Sequence, residues 1–406
     1  VHMGRLGPYI KRDFFVPGII FHKSITLSPH RIIELNEYKK KNFVFTSLDE
    51  EVGLVNLDGK EYLKTRYSNE SISLTDRIFT WGKFDRDNLA REFKEHKSKF
   101  VLTGNPRIDF WRKDFQFFFK KKNFEYKDYI LFSLNFTLPS KREITKRLKF
   151  LKETNYVKHG LDINFYKRRV KDSYKMFKEF SKLIKILSKE TNSTIIVRPH
   201  PVDKIKNYGF LKKYSNVKVI KKGSISEWIH HAKVVVHSGC TGGLEASVRG
   251  RPTISFIPFK SSHGHLYCNE FSVKTKNIKQ CLDIIKKIDR NHIKIKKPNL
   301  KDFKSRAYNL TSNKPGYKII VDEFVKLIKI KKYKNNNNDL FLKFKFKIRE
   351  LRTKLLNYKY GNFKFSTFDK NETLKIFEIL KELNPKYNDL SIDFIKKDII
   401  YIKKDS

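Results

Sequence analysis

The chain has 406 residues, room for two domains of ordinary size and a smaller third piece. Apolar residues make up 39% and aromatics 14%, enough to bury real cores, which excludes a chain disordered throughout even though 32% of residues are charged. The formal net charge of +45 draws the surface toward anions: nucleic acid, phosphorylated substrates or an acidic membrane face. Lysine is spread along the whole sequence, however, so charge alone singles out no partner.

Cys240, Cys268 and Cys281 are the three cysteines, and none has a CxxC partner. That excludes zinc-type spacing and a disulfide framework, and it fits a reducing compartment. No stretch approaches the ~20 apolar residues that span a bilayer, and no signal peptide is recognisable at the start. The opening Val1-His2-Met3-Gly4 is an odd start, from which a missing N-terminal piece is expected.

In chain order, strands are expected at 17–22, 43–48, 76–81 and 99–103, with helices near 28–41, 83–95 and 106–119 between them. Strand–helix alternation points to a parallel, Rossmann-like sheet. A lysine-rich patch at 120–128 precedes a second alternation. It has strands at 129–134, 193–198, 216–220, 233–237 and 252–257, and helices near 142–154 and 163–190. In the latter helix Tyr174, Phe177, Phe180, Leu183, Ile184 and Leu187 form an apolar stripe at three- and four-residue spacing. Past residue 301 the pattern changes. Helices near 316–332 and 339–357 flank "NNNN" at 335–338, a linker-like run. Lysine alternates with apolar residues in 341–348 "FLKFKFKI", which suits either a basic strand or helix or a membrane-surface contact. A helix near 371–383 and one strand near 390–402 close the chain. The fold class is therefore α/β with two Rossmann-like domains facing a cleft, in residues 1–125 and 126–300. A helical and basic extension follows in 301–406.

Residues 236–247, "VHSGCTGGLEAS", place three glycines between a strand and a helix. Glycines permit positive φ and close approach, and a helix N-terminus adds partial positive charge, so such a turn aims N–H groups at a phosphate. Ser238, Gly239, Thr241, Gly242 and Gly243 are the candidates. The P-loop ending and the Gly-x-Gly-x-x-Gly spacing are both absent, and a turn that merely packs is the plainer reading. Glu245, in the following helix, either complements the dipole or accepts a ribose diol. "RPHP" at 198–201 follows a second strand end. There two prolines hold His200 rigid beside Arg198 and Pro201, and an imidazole so placed suits a leaving phosphate. The plainer readings are a structural histidine and a solvated cation.

"SLDEEVG" at 47–53 gathers Asp49, Glu50 and Glu51 after a strand of the first domain, where a general base can sit; an acidic surface turn is the alternative. Asp85 and Asp87 in "WGKFDRD" suit the first turn of a helix better than a metal site. Pro106 in "TGNPRID" suits a helix start, and Asn105 or Asp109 either faces the cleft or packs. Ser224 and Glu227 read as a capping box, with nucleotide contact by Ser224 and Ser226 the weaker reading.

Taken together and in order, "LDEEVG", "FTWGKFDRD", "LTGNPRID", "YILFSLNF", "RPHP" and "ISEWIHHAKVVVHSGCTGGLEASVRGRPTISFIP" resemble the bacterial surface carbohydrate biosynthesis proteins. These look like two-Rossmann (GT-B) glycosyltransferases of surface polysaccharide clusters, such as capsule and lipopolysaccharide. The similarity runs from about residue 17 to the end and includes "KFSTFDKNETLKIFEILKELNPKYNDL". A wider resemblance is to bacterial sialyltransferases and Kdo transferases that use CMP-activated sugars.

That resemblance implies a metal-independent transferase with no resident cofactor, taking its sugar from a nucleotide-sugar donor, a CMP-ulosonic acid being favoured. The acceptor is a surface glycan or a lipid-linked one. It implies a base among Asp49, Glu50 and Glu51, a phosphate site at His200-Pro201, a serine loop at Ser238 and Thr241, and Glu245 on the ribose. Val52 interrupts the acidic motif, so which acid acts stays open. The expected place is the cytoplasm, peripheral at the acidic inner membrane. Two rivals remain: a transferase moving a polyol phosphate from a CDP-alcohol, and a nucleic-acid-binding protein, for which no motif is present.

Overall fold

The structure is a computed structural model that describes residues 2–4, 10, 15, 17–26, 29–50, 63, 66–119, 124–136, 138–153, 163–201, 203–261, 267–291, 301–331, 369–383, 385–396 and 399–404. The expected linker at 335–338, the segment 341–348, the helix at 339–357 and Glu51 all lie outside the described residues. Two compact units are present. One comprises residues 1–20, 33–44 and 325–406, the other 21–32 and 45–324.

The larger unit is α/β. Its six-stranded sheet contains β6 (Tyr129–Ser133), β7 (Ile195–Arg198), β8 (Val217–Val219), β9 (Ala232–His237), β10 (Thr253–Phe256) and β11 (Val273–Thr275). All are parallel, in the order β11-β10-β9-β6-β7-β8. β6, β7 and β10 are buried along their whole length. A parallel sheet covered on both faces takes such runs of β-branched and aromatic residues instead of an alternating pattern. The 28-residue helix Ile163–Glu190 covers one face, burying Met176, Phe180, Leu183, Ile184 and Leu187 against β6, β7 and β9. Of the expected stripe, Tyr174 is exposed instead, and its hydroxyl donates to the Pro139 carbonyl. Helix Ile278–Asp289 packs on the same core through Cys281, Leu282, Ile285 and Ile288. That helix and β11 were not anticipated.

The strand order carries the functional consequence. From β6 the chain winds outward through β7 and β8, then returns to the other side of β6 for β9, β10 and β11. The order therefore reverses between β6 and β9. In open α/β sheets the crevice at the carboxyl ends of such a pair is where ligands bind.

A second sheet has the order β2-β3-β4-β5, from β2 (Ile19–His22), β3 (Val44–Leu48), β4 (Arg77–Thr80) and β5 (Phe100–Leu102). β3 to β5 are parallel. The expected helix 106–119 is broken: a short helix Pro106–Asp109, capped by Asn105, is followed by a 3-10 segment Lys113–Phe119. After the six-stranded sheet the chain comes back to this one. Phe84 N–H donates to the Ser305 carbonyl and Tyr308 N–H to the Trp81 carbonyl. Phe303, Ala307 and Ile320 then share a core with Phe79, Trp81, Ile108, Trp111, Leu244, Tyr267 and Phe271.

Asp109 fixes this return. Its Oδ1 accepts from Asn309 Nδ2 at 2.6 Å and Gly316 N–H at 2.7 Å, and its Oδ2 from Tyr317 N–H at 3.0 Å. It thus caps helix Gly316–Lys331, and the packing reading of Asp109 is the one found.

The smaller unit holds an antiparallel sheet of order β1-β13-β12, from β1 (His2–Gly4), β12 (Leu390–Lys396) and β13 (Ile399–Lys404), with helix Lys370–Leu383. The C-terminal extension is therefore part sheet, and the single strand expected at 390–402 is two.

Asp109→Ala removes the acceptor from one buried amide and two helix N–H groups. An expected loss of at least about 2 kcal/mol follows, since each buried donor left unmade costs about 1–3 kcal/mol. Urea denaturation measures it, and a loss under roughly 0.5 kcal/mol contradicts the cap assignment.

Candidate functional site

β9 ends in His237, which is fully buried. Burial pushes its pKa down to about 3, so the ring is neutral. Nδ1 accepts from Gly239 N–H at 2.9 Å and from Cys240 N–H at 3.3 Å. The hydrogen therefore sits on Nε2, which donates to Ser272 Oγ at 2.8 Å. Each glycine of the turn now has its own reason. Gly239 has φ +93°, a conformation open to glycine. A Cβ on Gly243 would stand 2.4 Å from the His237 ring, and one on Gly242 2.8 Å from Ser133 Oγ.

The turn is pinned to the end of β6. Asn135 Nδ2 donates to the Gly239 carbonyl at 3.1 Å, and Ser238 Oγ donates to Asn135 Oδ1 at 3.2 Å. Cys240 caps helix Thr241–Val248, its sulfur accepting from Gly243 N–H at 3.3 Å and lying 3.2 Å from Ser133 Oγ. Burial raises the thiol's pKa, which suits a cap and not a nucleophile. Thr241 heads the helix. Its Oγ1 accepts from the guanidinium of Arg107, 3.3 Å away, which comes from the short helix after β5. A cation thus stands against the positive end of a helix dipole. Among the described residues no carboxylate is ion-paired with it, an arrangement that an anion placed between them would relieve.

Several expected residues do other work. Arg198 is buried, and its guanidinium donates to the carbonyls of Ile220, Lys222 and Gly223 while stacking on Trp228. Three of its five N–H donors hold the turn before helix Ile225–His231, so the role the structure gives Arg198 is a structural one. Burial lowers its pKa to about 10. His200 is half-buried and Pro201 exposed, both just past the carboxyl end of β7. Glu245 is 0% exposed and paired with Arg249 at 2.9 Å. It is therefore not offered to solvent as an open ribose acceptor, although its Oε2 has no partner among the described residues. Ser224 caps its helix as expected, but through Ser226 N–H and not through the Glu227 N–H that the expected capping box uses.

The acids of the first sheet separate. Asp49 is buried at the end of β3, held by Arg66 at 2.7 Å. Its backbone carbonyl accepts from Trp81 Nε1. Glu50 is exposed beside it. Asp85 and Asp87 do not converge: Asp87 is exposed and pairs with Arg86, whereas Asp85 is 4% exposed. Burial, with a smaller contribution from nearby Asp49, pushes Asp85 up to about 7 against the pull of Arg306. Its Oδ2 has no partner among the described residues. Among those residues no three His, Cys, Asp or Glu side chains gather as metal ligands. No helix among them is long and apolar enough to cross a membrane.

Reading from the sequence missed His237, Asn135 and Arg107. The "NF" after "YILFSL" and the Arg in "GNPRID" carried the signal, since both follow a parallel strand's carboxyl end. Their partners lie about a hundred residues away and were not inferable.

No family model matches the chain, and no curated protein matches it. Solved structures of similar shape include the wall teichoic acid polymerase TagF soaked with CDPG, at 14% identity and TM-score 0.47, covering 78% of this chain and 73% of that one. The UDP-GlcNAc 2-epimerase of Methanocaldococcus jannaschii matches at 15% identity and TM-score 0.45, with 78% and 80% covered. That of Neisseria meningitidis, bound to UDP-GlcNAc, matches at 12% and 0.44, with 79% of each covered.

Two outcomes are expected. Gly243→Ala drives a methyl into a ring fixed at both nitrogens, and it lowers stability by about 1–3 kcal/mol or more. Gly209→Ala, with nothing within 4 Å of the new Cβ, serves as the matched control; equal melting temperatures for the two contradict the close approach. Asp85 holds its proton in the folded protein well above the ordinary 3.8. Its contribution is therefore fully present below pH ~4 and is lost as pH rises through ~7, a change on the order of 4 kcal/mol. Asp85→Asn flattens that decline in chemical denaturation between pH 4 and 8, and an unchanged slope contradicts it.

Proposed function

We propose that the chain is a glycosyltransferase that moves a sugar from a nucleotide-activated donor to a surface polysaccharide or lipid-linked acceptor. The observation that carries the reading is the strand reversal between β6 and β9, with the Asn135 loop and the 238–243 turn at its mouth. The donor's phosphate sits at the head of helix Thr241–Val248, flanked by Thr241 and Arg107, with His200 approaching from the end of β7, while buried Ser238 holds the turn through Asn135. A CMP-ulosonic acid is the favoured donor, on the sequence resemblance alone.

In the reaction a carboxylate takes the proton of an acceptor hydroxyl. That oxygen bonds to the anomeric carbon as the bond from the anomeric carbon to the phosphate oxygen breaks, and the nucleotide departs with the electron pair. General-base help of this kind is worth on the order of 10²–10⁴ in rate. Charge on the departing phosphate is met by the helix N–H groups, the Arg107 guanidinium and the His200 imidazole. Among the described acids of the 49–51 turn, exposed Glu50 takes the base role, and Asp49, tied to Arg66, anchors the turn. The basic surface suits an acidic membrane face, where a lipid-linked acceptor lies.

A second reading has one observation in its favour. Because Asp49 is buried and ion-paired, a transferase of polyol phosphate from a CDP-alcohol, which needs no acid cluster, uses the same phosphate site.

Melting temperature is measured with CMP, CDP, UDP and GDP. Stabilisation by at least one is expected, since a ligand at 100 times its Kd adds about 2.7 kcal/mol, and Arg107→Ala reduces it. CMP as the best ligand supports the ulosonic donor. No shift with any nucleotide overturns the reading. If turnover survives Asp49→Ala, Glu50→Ala and Glu51→Ala singly, the base assignment is wrong and the polyol-phosphate reading is preferred.

A further inference from the structure

The connection from β6 to β7 carries a surface that plays no part in the site described above. Leaving the carboxyl end of β6, the chain forms helix Lys141–Glu153. Ile144, Leu148 and Leu151 recur at four- and three-residue spacing and form its inner stripe, Leu151 buried and the other two half-buried. Arg142, Lys146 and Lys149 lie on the opposite face and are exposed. Phe150 stands among them, 38% exposed, with the Arg147 guanidinium over its ring at 5.0 Å. An amphipathic helix on a protein surface explains outward lysines and arginines, but not an outward phenylalanine.

Two neighbouring pieces extend this face. Helix Ile163–Glu190 brings the chain back to β7, so its first turns stand at the carboxyl-end edge of the sheet. No residue before Ser173 in it is buried, Phe165 is 44% exposed, and Lys167 and Lys171 are exposed. Past β7, the 3-10 segment Ile205–Lys213 begins with Ile205, 47% exposed, and then exposed Lys206. Hydrogen bonds hold these pieces together. The Tyr174 hydroxyl donates to the Pro139 carbonyl at 2.6 Å, Leu138 N–H to Asp203 Oδ1 at 3.1 Å, and Lys204 Nζ to Glu143 Oε1 at 3.2 Å. From the Tyr174–Pro139 bond, Phe150 and Phe165 each lie roughly 15 Å along their own helices, at 1.5 Å per residue. Lys149 has Glu153 as a partner, whereas Arg142, Lys146, Lys152, Lys167, Lys171 and Lys206 have no acid partner among the described residues.

We propose that this edge docks on an anionic phospholipid bilayer. The basic side chains meet the headgroup phosphates, and Phe150, Phe165 and Ile205 enter the boundary between headgroups and acyl chains. Charge complementarity sets the sign of the partner, and the exposed apolar side chains set its kind. A soluble polyanion is met by cations alone and leaves large apolar side chains in water, whereas a bilayer takes up both. Because β6 forms one side of the crevice at the strand reversal, docking here puts that crevice beside the membrane. The inference deepens the transferase reading above and rests on it for the lipid-linked acceptor.

Sedimentation of the full chain is measured with vesicles of phosphatidylcholine alone and of phosphatidylcholine with about one-third phosphatidylglycerol. Wild type is expected to bind the anionic vesicles and not the neutral ones, with affinity falling as salt screens the charges. Each basic side chain near an anionic surface strengthens binding about fivefold, so Arg142→Gln combined with Lys146→Gln weakens it at least about tenfold. Phe165→Ala, in an exposed first turn, weakens it several-fold at an unchanged melting temperature, and Phe150→Ala adds to the loss. Lys189→Gln combined with Lys287→Gln removes the same charge from exposed positions near the other edge of the sheet, where Asp289 accepts from Ser193, and leaves binding at the wild-type level. If that control pair loses as much as the Arg142 and Lys146 pair, or wild type binds no vesicle, the inference is overturned. If Phe165→Ala binds as wild type does, the surface is one for soluble polyanions and the inference is equally overturned. The rise in melting temperature given by nucleotides is followed in parallel and is expected to be the same in all these variants. Absent vesicle binding with that rise intact leaves the transferase reading standing. Vesicle binding with no nucleotide effect keeps the docking surface and removes the transferase reading.

Discussion

The neutral imidazole of His237 is the constraint on which the candidate site depends. A fully buried ring has to satisfy two nitrogens, and here it does so with backbone N–H groups on one side and the Ser272 hydroxyl on the other. Accepting from Gly239 and Cys240 draws the chain into a turn tight enough to need positive φ at Gly239. That turn sets the direction in which the next helix begins. The same ring then fills the space where a side chain on Gly243 would be, so helix and strand end approach more closely than any other residue would permit. Sulfur capping by Cys240 and the Asn135 bonds follow from that geometry. A charged imidazole would donate at both nitrogens and repel the two N–H groups, so its depressed pKa is part of the design.

Scarcity of acids governs much of the rest. With 88 Lys and Arg against 43 Asp and Glu, many cations have no carboxylate to pair with. Backbone carbonyls take that place. Arg198 serves three of them and Lys221 those of Pro201 and Asp203, while Arg112 divides its donors between the Asp114 carboxylate and the carbonyls of Asn309 and Ser312. Acids, in turn, are spent on holding backbone: buried Asp109 caps a helix, and half-buried Asp76 accepts from Phe45 N–H. Asp85 is different. It is buried with one oxygen unpartnered, and it keeps a proton instead of a charge because desolvation outweighs the attraction of Arg306.

What the sequence disclosed follows the range of the forces involved. Runs such as "YILFS", "IIVR" and "VVVH" are buried on both faces, so each announces a parallel strand from its own residues, and helix 163–190 announces itself by its stripe. The glycine turn was legible for the same reason: positive φ and helix capping are local. The structural role of Arg198 was not legible because a cation at a strand end suits a phosphate and a ring of carbonyls equally well, and its carbonyl partners come from the fold of 220–223. Asn135 and Arg107 meet their partners 104 and 134 residues away. No local pattern encodes a contact that depends on strand order. The two C-terminal strands were merged because "IDFIKKDIIYIKK" alternates without a glycine or proline to mark where it turns.

Net charge, the loudest signal in the composition, does not mark out one place on the chain for a ligand. Most basic side chains are solvated, and buried ones have carbonyls or acids as partners. A binding site for an anion is better sought where a cation has neither. Arg107 is exposed, and what sets it apart is that its guanidinium rests on the Thr241 hydroxyl at the positive end of a helix. A surface lysine attracts any anion weakly and is screened by salt. A guanidinium facing helix N–H groups at a strand reversal offers a fork of donors to one group of fixed geometry. In the proposed function, selectivity for phosphate rests on this strand end and not on the charge of the chain as a whole.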